Sequence, residues 1–409
     1  MNTEVPVLSG VAAENPDREI GRYGGYKKGP NLVFFGGIHG NEPTGIIALR
    51  KVLETLESLK PDFRGTFIGI AGNRAALQNG VRYMVRDLNR IWFPGSLVDP
   101  EKRKLTPEYG EKIEILEKIL EIIGNREHTY LFDLHSTSSQ SVPFISISDT
   151  LKNRELVEGI PVTLVLGLEE LLDGPMFSFF SEMGIPAVLF EGGQNEALST
   201  LENHMAFIWL MLQKLGCLRR EFFARLSSQE EVLRKNNPGG HGIFEIKYRH
   251  LLKAGGTFRM MPGYVNFQPV VKGELLARDT LGDIRSPRSG SIFMPLYQIL
   301  GLEGFFIVRR ISPFWYRLSR RARKWGVDKR LNLFPGVYRA SQRPDTIVID
   351  RRIARWRVVS LFHLLGYRKL VDEGRYVTLS RRPFDANHPN MRQVTENLQQ
   401  YIDLLRKDI

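Results

Sequence analysis

The sequence predicts an α/β fold: a largely parallel sheet flanked by helices, then a small β-rich domain and a basic α+β extension. Short apolar runs alternate with helical patterns over roughly the first 216 residues, as in chains whose parallel strands are joined by helices. From residue 243 to residue 310 the pattern changes to short β-rich runs separated by glycines. From residue 305 onward 23 basic residues stand against 9 acidic ones, so the net charge of +12 belongs to this last quarter.

The first strand and helix are predicted within residues 31–58. Leu32–Phe35 is a short apolar run with the length of a buried strand, and two glycines then allow a tight turn. Pro43 stands at a position that favours the start of a helix, and the helical pattern continues over residues 45–58. The turn between strand and helix therefore lies at the edge where open α/β sheets bind ligands.

The remaining elements of the first 216 residues continue this alternation. Strands are predicted at residues 66–71, 129–134, 144–147, 162–166 and 187–190. Helices are predicted at residues 107–123, 175–183 and 197–215. Residues 79–90 are expected to be an irregular polar loop, the kind of segment that carries binding residues on a rigid scaffold.

The chain is predicted to consist of three units. Residues 1–216 form the α/β domain, residues 243–310 the small β-rich domain, and residues 311–409 a basic extension of unknown role. Residues 219–242 are polar and end in a glycine-rich stretch, which indicates a linker. In the extension, helices are predicted at residues 312–326 and 391–406.

Composition limits the classes of protein that the chain can belong to. A hydrophobic content of 42% suits a globular protein with a sizeable core, and no run of eighteen apolar residues predicts a transmembrane segment. The first twenty residues lack the basic-then-apolar order of a signal peptide. Cys217 is the only cysteine, which excludes an internal disulfide. A cytoplasmic location is expected.

Three potential metal ligands follow predicted strands. His39 and Glu42 stand three positions apart after the first strand, and His135 follows the strand at residues 129–134. Two histidines and one carboxylate, with a coordination position left for water, are the ligand set of a catalytic zinc site in hydrolases. Asp133 precedes His135 by two residues, so an extended backbone would place its carboxylate beside the imidazole. Taken singly, each of these residues is also an ordinary strand-end or surface residue.

Four motifs occur in an order that resembles a known family. They are His39-Gly-Asn-Glu42 after the Phe-Phe-Gly-Gly strand end, Arg82-Tyr followed by Asp87-Leu-Asn89-Arg90, Asp133-Leu-His135-Ser, and Glu191-Gly-Gly-Gln194. Over about residues 31–216 the sequence resembles the succinylglutamate desuccinylase/aspartoacylase family, relatives of the zinc carboxypeptidases. The resemblance implies a zinc-carboxypeptidase-like sheet flanked by helices. Residues 243–310 resemble the small C-terminal domain of that family more weakly.

This resemblance implies a zinc-dependent amidohydrolase that cleaves the carbon–nitrogen bond of a small N-acyl amino acid. One Zn²⁺ per chain would be held by His39, Glu42 and His135. Glu191 would be the general base that activates the bound water, and Arg82 would polarise the carbonyl and stabilise its oxyanion.

The resemblance also implies which residues bind the substrate. Asn89 and Arg90 would bind its α-carboxylate, because a guanidinium grips a carboxylate with two parallel hydrogen bonds. Asn73 occupies a further fixed position of the family, and Asp87 is expected to orient the arginines of the loop. These residues are also those of an ordinary solvated basic loop. The acyl group, the amino acid and the oligomeric state are left open.

Two alternatives remain beside the deacylase interpretation. One is a zinc carboxypeptidase that acts on a peptide terminus. The other is a protein that binds nucleic acid or an anionic surface through the basic extension, with an idle site. The predicted helix at residues 312–326 carries aromatic and basic residues, and its apolar side could lie on an anionic surface or pack on its own protein. No specific nucleic-acid binding is expected.

Overall fold

The coordinates are a computed structural model of the chain. They describe residues 17–93, 106–124, 128–172, 174–223, 228–252, 257–298, 301–327, 334–340, 343–354, 362–382, 384–385 and 389–407. Of the helices in these residues, none is long and apolar enough to cross a membrane.

Eleven strands of the described residues form one central sheet. In spatial order they are β1 (Glu19–Gly24), β3 (Thr66–Ala71), β2 (Asn31–Gly36), β4 (Thr129–Thr137), β7 (Ala187–Gln194), β5 (Phe144–Ile147), β6 (Thr163–Leu166), β8 (Ile243–Leu251), β14 (Glu303–Arg310), β13 (Gly290–Phe293) and β10 (Pro269–Val270). The strands from β3 to β8 pair in parallel except at the β5–β7 contact. Antiparallel pairing at both ends completes a mixed sheet.

Helices cover both faces of this sheet. In the first 240 residues the described helices are α1 (Thr44–Leu59), α2 (Arg74–Asn79), α3 (Pro107–Ile123), α4 (Leu151–Val157), α5 (Leu168–Leu171), α6 (Met176–Glu182), α7 (Leu198–Lys214), α8 (Arg220–Phe223) and α9 (Gln229–Lys235). A short 3₁₀ turn spans Leu88–Arg90. The C-terminal region adds α10 (Pro313–Lys324) and α11 (Met391–Lys407).

The core has two layers because side chains of a strand alternate between its faces. Leu32 and Phe34 of β2 pack in the cluster that contains residues of α1, α7 and α9. Val33 and Phe35 belong to the opposite cluster, with residues of α3, α6 and α11. Strands that are covered on both faces are apolar throughout, which is why β2, β3 and the first residues of β4 stand out in the sequence.

Every strand and helix predicted in the first 216 residues is present. Strands β4 and β7 continue three and four residues beyond their predicted ends, so His135 and Glu191 lie within paired strands and not just after them. Edge strand β1 and helices α2, α4 and α5 were not predicted, because their sequences are short or weakly periodic. The predicted linker contains α9, whose Leu233 is fully buried in the core.

The region of residues 243–310 has the predicted β-rich content. Four of its strands, β8, β10, β13 and β14, extend the central sheet. Three others, β9 (Arg259–Met260), β11 (Leu275–Asp279) and β12 (Gly282–Arg285), form a small separate sheet. The domain boundary proposed between residues 216 and 243 stays a prediction, and the hydrogen-bonded sheet continues across it through the β6–β8 pair.

The basic extension contains both predicted helices and a further sheet. Its four antiparallel strands are β15 (Val337–Ala340), β16 (Arg343–Asp350), β18 (Tyr376–Arg381) and β17 (Tyr367–Glu373). Helix α11 packs against α3 and places Val394, Leu398 and Ile402 in the core of the central sheet. The extension is therefore packed onto the α/β core along both α10 and α11.

Candidate metal centre and active site

Three neighbouring parallel strands bring the predicted site residues together. Gly36 of β2 lies beside Leu134 of β4, so His135 comes one residue beyond the end of β2. His135 in turn lies beside Glu191 of β7. His39 and Glu42 stand in the turn from β2 to α1, which Gly37 allows through its positive φ of 69°. All four side chains therefore meet at one edge of the sheet.

The carboxylate of Glu42 joins the two histidines. Its Oε1 atom lies 2.8 Å from Nδ1 of His39, and its Oε2 atom lies 3.0 Å from Nδ1 of His135. The backbone N–H of Ser136 donates a third hydrogen bond to Oε2, at 3.0 Å. One potential ligand atom from each residue lies within 4.8 Å of the others, and all three side chains are buried. Such a group could hold a metal ion.

The outer nitrogens of both imidazoles face carboxylates. Nε2 of His39 lies 3.0 Å from Oδ1 of Asp87, and Nε2 of His135 lies 2.9 Å from Oδ2 of Asp133. Histidine ligands of metals are commonly oriented by a carboxylate on the second nitrogen, which leaves the first free for the ion. The predicted position of Asp133 is confirmed. The donor set, two Nδ1 atoms and one carboxylate, fits a zinc ion with a coordination position left open.

Burial and charge act on Glu42 and His135 in opposite directions. Burial by itself would raise the pKa of Glu42, but the two imidazoles hold it well below its usual value. Burial would lower the pKa of His135, but Asp133 and Glu42 raise it well above the usual value. The group is therefore an ionic cluster in which each charge depends on its neighbours.

Glu191 differs from the other carboxylates of the site. It is buried and lines the cleft, yet its Oε2 atom has no hydrogen-bond partner among the described residues. Burial raises the pKa of Glu191 to about 8, although the neighbouring His135 acts in the opposite direction. An unpartnered carboxylate oxygen at the edge of a cleft is free to exchange a proton with a bound molecule.

Arg82 lies beside the predicted metal ligands. Its Nη1 atom is 3.4 Å from Oε1 of Glu42, and its Nη2 atom is 3.2 Å from Oδ2 of Asp87. The backbone N–H of Gly40 donates to the carbonyl of Arg82 at 3.2 Å and so ties this loop to the turn that carries His39. Asp87 thus contacts both His39 and Arg82, as expected of a residue that orients an arginine of the loop.

Arg90 lines the cleft, but a protein carboxylate already engages it. Its Nη2 atom lies 3.2 Å from Oε2 of Glu303, whose other oxygen lies 2.7 Å from Nη2 of Arg249. The Nη1 atom of Arg90 donates to the carbonyl oxygen of Asn89 at 3.0 Å. A substrate carboxylate that binds Arg90 must therefore share it with Glu303.

The two predicted asparagines have different surroundings. Asn89 is buried, with its Nδ2 atom 3.4 Å from Nε2 of His135 and its Oδ1 atom accepting a hydrogen bond from the Met176 N–H at 2.8 Å. Asn73 caps α2 by accepting from the Ala76 N–H at 3.1 Å, and its amide lies 3.4 Å from a carboxylate oxygen of Glu108. Neither is among the residues that line the cleft, and their substrate-reading roles stay predictions.

Sequence reasoning missed the residues that close the cleft from the other side. Met294, Pro295, Leu296 and Gln298 follow β13 and line it, as does Glu303 at the start of β14. It also missed His204 of α7, whose Nε2 atom lies 2.9 Å from the carbonyl oxygen of His135. No spacing in the sequence connects Glu303 with Arg90, since 213 positions separate them. Only the extension of the sheet to β14 brings them together.

The fold and the site together have the features of a metal-binding protein. A three-layered α/β fold brings two histidines and a carboxylate, a group that could hold a metal ion, to the ends of parallel strands, beside the buried Glu191, whose Oε2 atom has no hydrogen-bond partner among the described residues. Residues 28–206 match the family model of the succinylglutamate desuccinylase/aspartoacylase catalytic domain. The family resemblance predicted from the four motifs is confirmed.

Two curated proteins are similar over part of the chain. Aspartoacylase from Danio rerio is 29% identical over 132 residues, which are 32% of this chain and 41% of that protein. A probable aspartoacylase from Nostoc sp. is 31% identical over 109 residues, which are 26% of this chain and 35% of that protein. The chain thus matches less than half the length of these relatives.

Solved structures show the same fold. A succinylglutamate desuccinylase/aspartoacylase from Rhodobacter sphaeroides superposes with a TM-score of 0.52 at 18% identity, over 70% of this chain and 87% of that one. A succinylglutamate desuccinylase from Vibrio parahaemolyticus gives 0.50 at 15% identity, over 70% and 82%. At these identities the likeness concerns the fold alone.

Proposed function

We propose that this protein is a zinc-dependent hydrolase that cleaves the amide bond of an N-acyl amino acid. The observation that carries the proposal is the meeting of His39, Glu42 and His135 around one point. Glu191, whose Oε2 atom has no hydrogen-bond partner among the described residues, lines the same cleft. The ligand set supports zinc. The names of the relatives, aspartoacylase and succinylglutamate desuccinylase, support an N-acyl amino acid as substrate.

His39, Glu42 and His135 would hold the zinc ion. Bound there, zinc would lower the pKa of a water molecule and polarise the substrate carbonyl. Glu191 would accept a proton from the attacking water at Oε2 while the water oxygen bonds to the amide carbon. When the carbon–nitrogen bond breaks, Glu191 would return that proton to the leaving nitrogen, giving a free carboxylic acid and a free amine.

Arg82 would stabilise the negative charge that develops on the carbonyl oxygen. Its guanidinium contacts Glu42, so it stands next to the position where a carbonyl would approach. Its Nε atom has no hydrogen-bond partner among the described residues. A single donor to an oxyanion is typically worth about 3–4 kcal/mol in the transition state.

Arg90 would bind the carboxylate of the substrate, with Asn89 fixing the segment that carries it. Asn89 accepts from the Met176 N–H, and its own carbonyl accepts from Arg90, so the loop and the guanidinium are held together. The segment from Met294 to Gln298 and Glu303 narrow the cleft. A narrow cleft that contains an arginine able to bind a carboxylate supports a small acidic substrate over a long peptide.

An amine-release assay tests the proposal. Protein supplied with zinc is incubated with N-acetyl, N-succinyl and N-formyl amino acids and, in parallel, with their methyl esters. Hydrolysis of at least one free acid, with the ester hydrolysed much more slowly, is the expected result. Release of C-terminal residues from peptides without any action on N-acyl amino acids would assign the site to a carboxypeptidase instead.

A further inference from the structure

Helix α10 turns its polar side inward and its aromatic side outward. Arg323 and Ser319 are buried on one side, whereas the exposed fractions of Phe314, Trp315 and Trp325 are 63%, 53% and 77%. Surface helices of globular proteins ordinarily show the reverse order, with the apolar stripe facing the core. The sequence left open whether the apolar side packs on the protein; in the structure Tyr316 and Ala322 pack against the protein, whereas Phe314, Trp315 and Trp325 stay exposed.

Buried ion pairs hold the helix in this orientation. The guanidinium of Arg323 contacts the carboxylate of Asp149 at 3.1 Å and also the carboxylate of Asp385. On the same side, the ring of Tyr316 lies 4.2 Å from the guanidinium carbon of Arg154. Rotation of the helix to bury its outer aromatics would expose Tyr316. It would also withdraw Arg323 from two buried aspartates, leaving Asp149 with Arg154 and Asp385 with Arg381. The outward aromatic face is therefore a fixed feature.

Basic residues flank the exposed aromatics. Arg317, Arg321 and Lys324 are exposed, and none of them forms an ion pair or side-chain hydrogen bond in the part of the chain that the structure describes. With about 100° between successive residues of a helix, Phe314, Leu318 and Trp325 fall along the middle of the outer face. The three basic residues fall along one flank of that stripe. Three exposed aromatic rings with cations along one side form an apolar patch with a basic border, the kind of surface that marks an interaction site.

We propose that this face of α10 docks the protein on an anionic lipid surface. Helices that lie in a membrane interface place aromatic and apolar side chains into the boundary of the acyl chains and basic side chains among the headgroups. Tryptophan is favoured at this depth because its ring has an apolar body and a polar edge. Lysine and arginine gain from the negative potential of anionic lipids.

The arrangement favours lipid over two other partners. A face that binds a nucleic-acid duplex would place its cations at the centre, along the phosphates, and here the centre is aromatic. A second copy of the chain would bring the same basic flank against itself across a twofold axis, and like charges in an interface are unfavourable. An anionic bilayer accepts both the aromatic centre and the basic flank.

Vesicle sedimentation with the full chain tests this proposal. We expect binding to phosphatidylcholine vesicles that contain phosphatidylglycerol, weak binding to phosphatidylcholine alone, and loss of binding as salt rises. Intrinsic fluorescence should shift to shorter wavelength on the anionic vesicles, because two of the five tryptophans lie on this face. A variant with both Trp315→Phe and Trp325→Phe should lose that shift.

Matched variants locate the contact. Phe314→Ser with Trp325→Ser should weaken binding at least roughly tenfold, since both side chains leave the acyl boundary. Arg317→Gln with Arg321→Gln should weaken it roughly 25-fold, at about fivefold for each basic residue near an anionic surface. Tyr26→Ser and Lys51→Gln, exposed changes on the α/β core, are the controls and should bind like the parent.

Three results would overturn the proposal. The first is no binding to anionic vesicles at low salt by a protein whose melting temperature shows that it is folded. The second is binding that both pairs of helix substitutions leave unchanged. The third is a dimer or a nucleic-acid complex that depends on Phe314 and Trp325 in the absence of any vesicle binding.

Discussion

Two buried carboxylates of the site have opposite ionisation behaviour. Two imidazoles hold the pKa of Glu42 low, whereas burial raises the pKa of Glu191 to about 8. Environments that push the pKa values of neighbouring acids apart assign them different chemical roles. Glu42 is therefore suited to remain a charged ligand, and Glu191 is suited to gain and lose a proton.

We predict that Glu191→Gln retains zinc and substrate binding but loses turnover. The amide has nearly the same shape but cannot accept a proton, and general-base catalysis is typically worth about 10²–10⁴-fold. The measurement compares kcat, KM and metal content with those of the parent. Glu196→Gln, an exposed carboxylate just beyond the same strand, is the control. Near-normal kcat in Glu191→Gln would mean that another residue carries the proton.

We predict that Glu303→Gln lowers KM for free N-acyl amino acids and leaves KM for their methyl esters unchanged. Glu303 places a negative charge on Arg90, where it competes with the substrate carboxylate. Removing one charge that competes for Arg90 is expected to change the affinity for the free acid roughly threefold to tenfold. A higher KM for the acids would show instead that Glu303 is needed to orient Arg90.

At this scale, most of the candidate site could be predicted from the sequence. His39, Glu42 and His135 follow apolar strands in short motifs, so local pattern suggested their juxtaposition, whereas the role of Glu191 was implied by the family resemblance. Glu303 and the residues that follow β13 could not be predicted, because they reach the cleft only through the pairing of β8, β14 and β13. Such pairing is a tertiary result with no local signal.

Among the elements, α10 shows how a distant charge decides the orientation of a helix. Its range was predicted closely, residues 312–326 against Pro313–Lys324. The face of α10 that turns inward could not be predicted, because the partners of Arg323 are Asp149, after β5, and Asp385, near the C-terminus. Periodicity predicts which residues share a side of a helix, but it does not predict which side forms ion pairs with the rest of the protein.

We predict that Arg323→Ala destabilises the protein by about 3 kcal/mol, the low end for breaking a buried ion pair, because Asp149 keeps Arg154 and Asp385 keeps Arg381 when both lose Arg323. Arg320→Ala is the matched control on the same helix. Arg320 pairs with the half-exposed Glu158, and such surface pairs are worth about 0–1 kcal/mol. Urea denaturation of both variants measures the difference. Equal losses of stability would mean that the buried network does not fix α10.

The contact between α3 and α11 also contains a buried charge. Lys112 of α3 donates to the Ile91 carbonyl at 2.7 Å and to the Tyr401 hydroxyl at 2.8 Å, and burial lowers its pKa to about 7. The unfolded chain keeps the lysine pKa near 10.5. Between these two pKa values the unfolded state binds more protons than the folded state, so the contribution of Lys112 to the free energy of unfolding rises with pH. Below about pH 7 the free-energy cost of burying the charged lysine is fully present.

We therefore predict that the stability difference between Lys112→Met and the parent depends on pH. The free energy of unfolding of the variant should exceed that of the parent by the largest amount near pH 7. This difference should shrink as pH rises towards 9, by at most about 1.4 kcal/mol for each pH unit. Chemical denaturation at several pH values gives the slope. A difference that stays constant over this window would show that Lys112 keeps its charge when buried.

In the whole molecule, one sheet carries both the strands that hold the predicted ligands and the strands that close the cleft. The α/β class and the order of its strands and helices could be predicted because parallel strands buried on both faces are apolar throughout. The packing of the last hundred residues onto the α/β core could not be predicted. Helix α11 looks like any amphipathic helix in the sequence, and only the structure shows that Val394, Leu398 and Ile402 complete the core around α3.

The metal content of the protein tests the account most directly. Purified parent protein and the His135→Ala variant are loaded with zinc, dialysed, and analysed for bound metal and for melting temperature. We expect about one zinc per chain in the parent and little in the variant, because a catalytic zinc site with three protein ligands loses much of its affinity with one of them. A variant that is folded and retains full zinc, or a folded parent that binds none, would contradict the assignment of His39, Glu42 and His135 as the metal site.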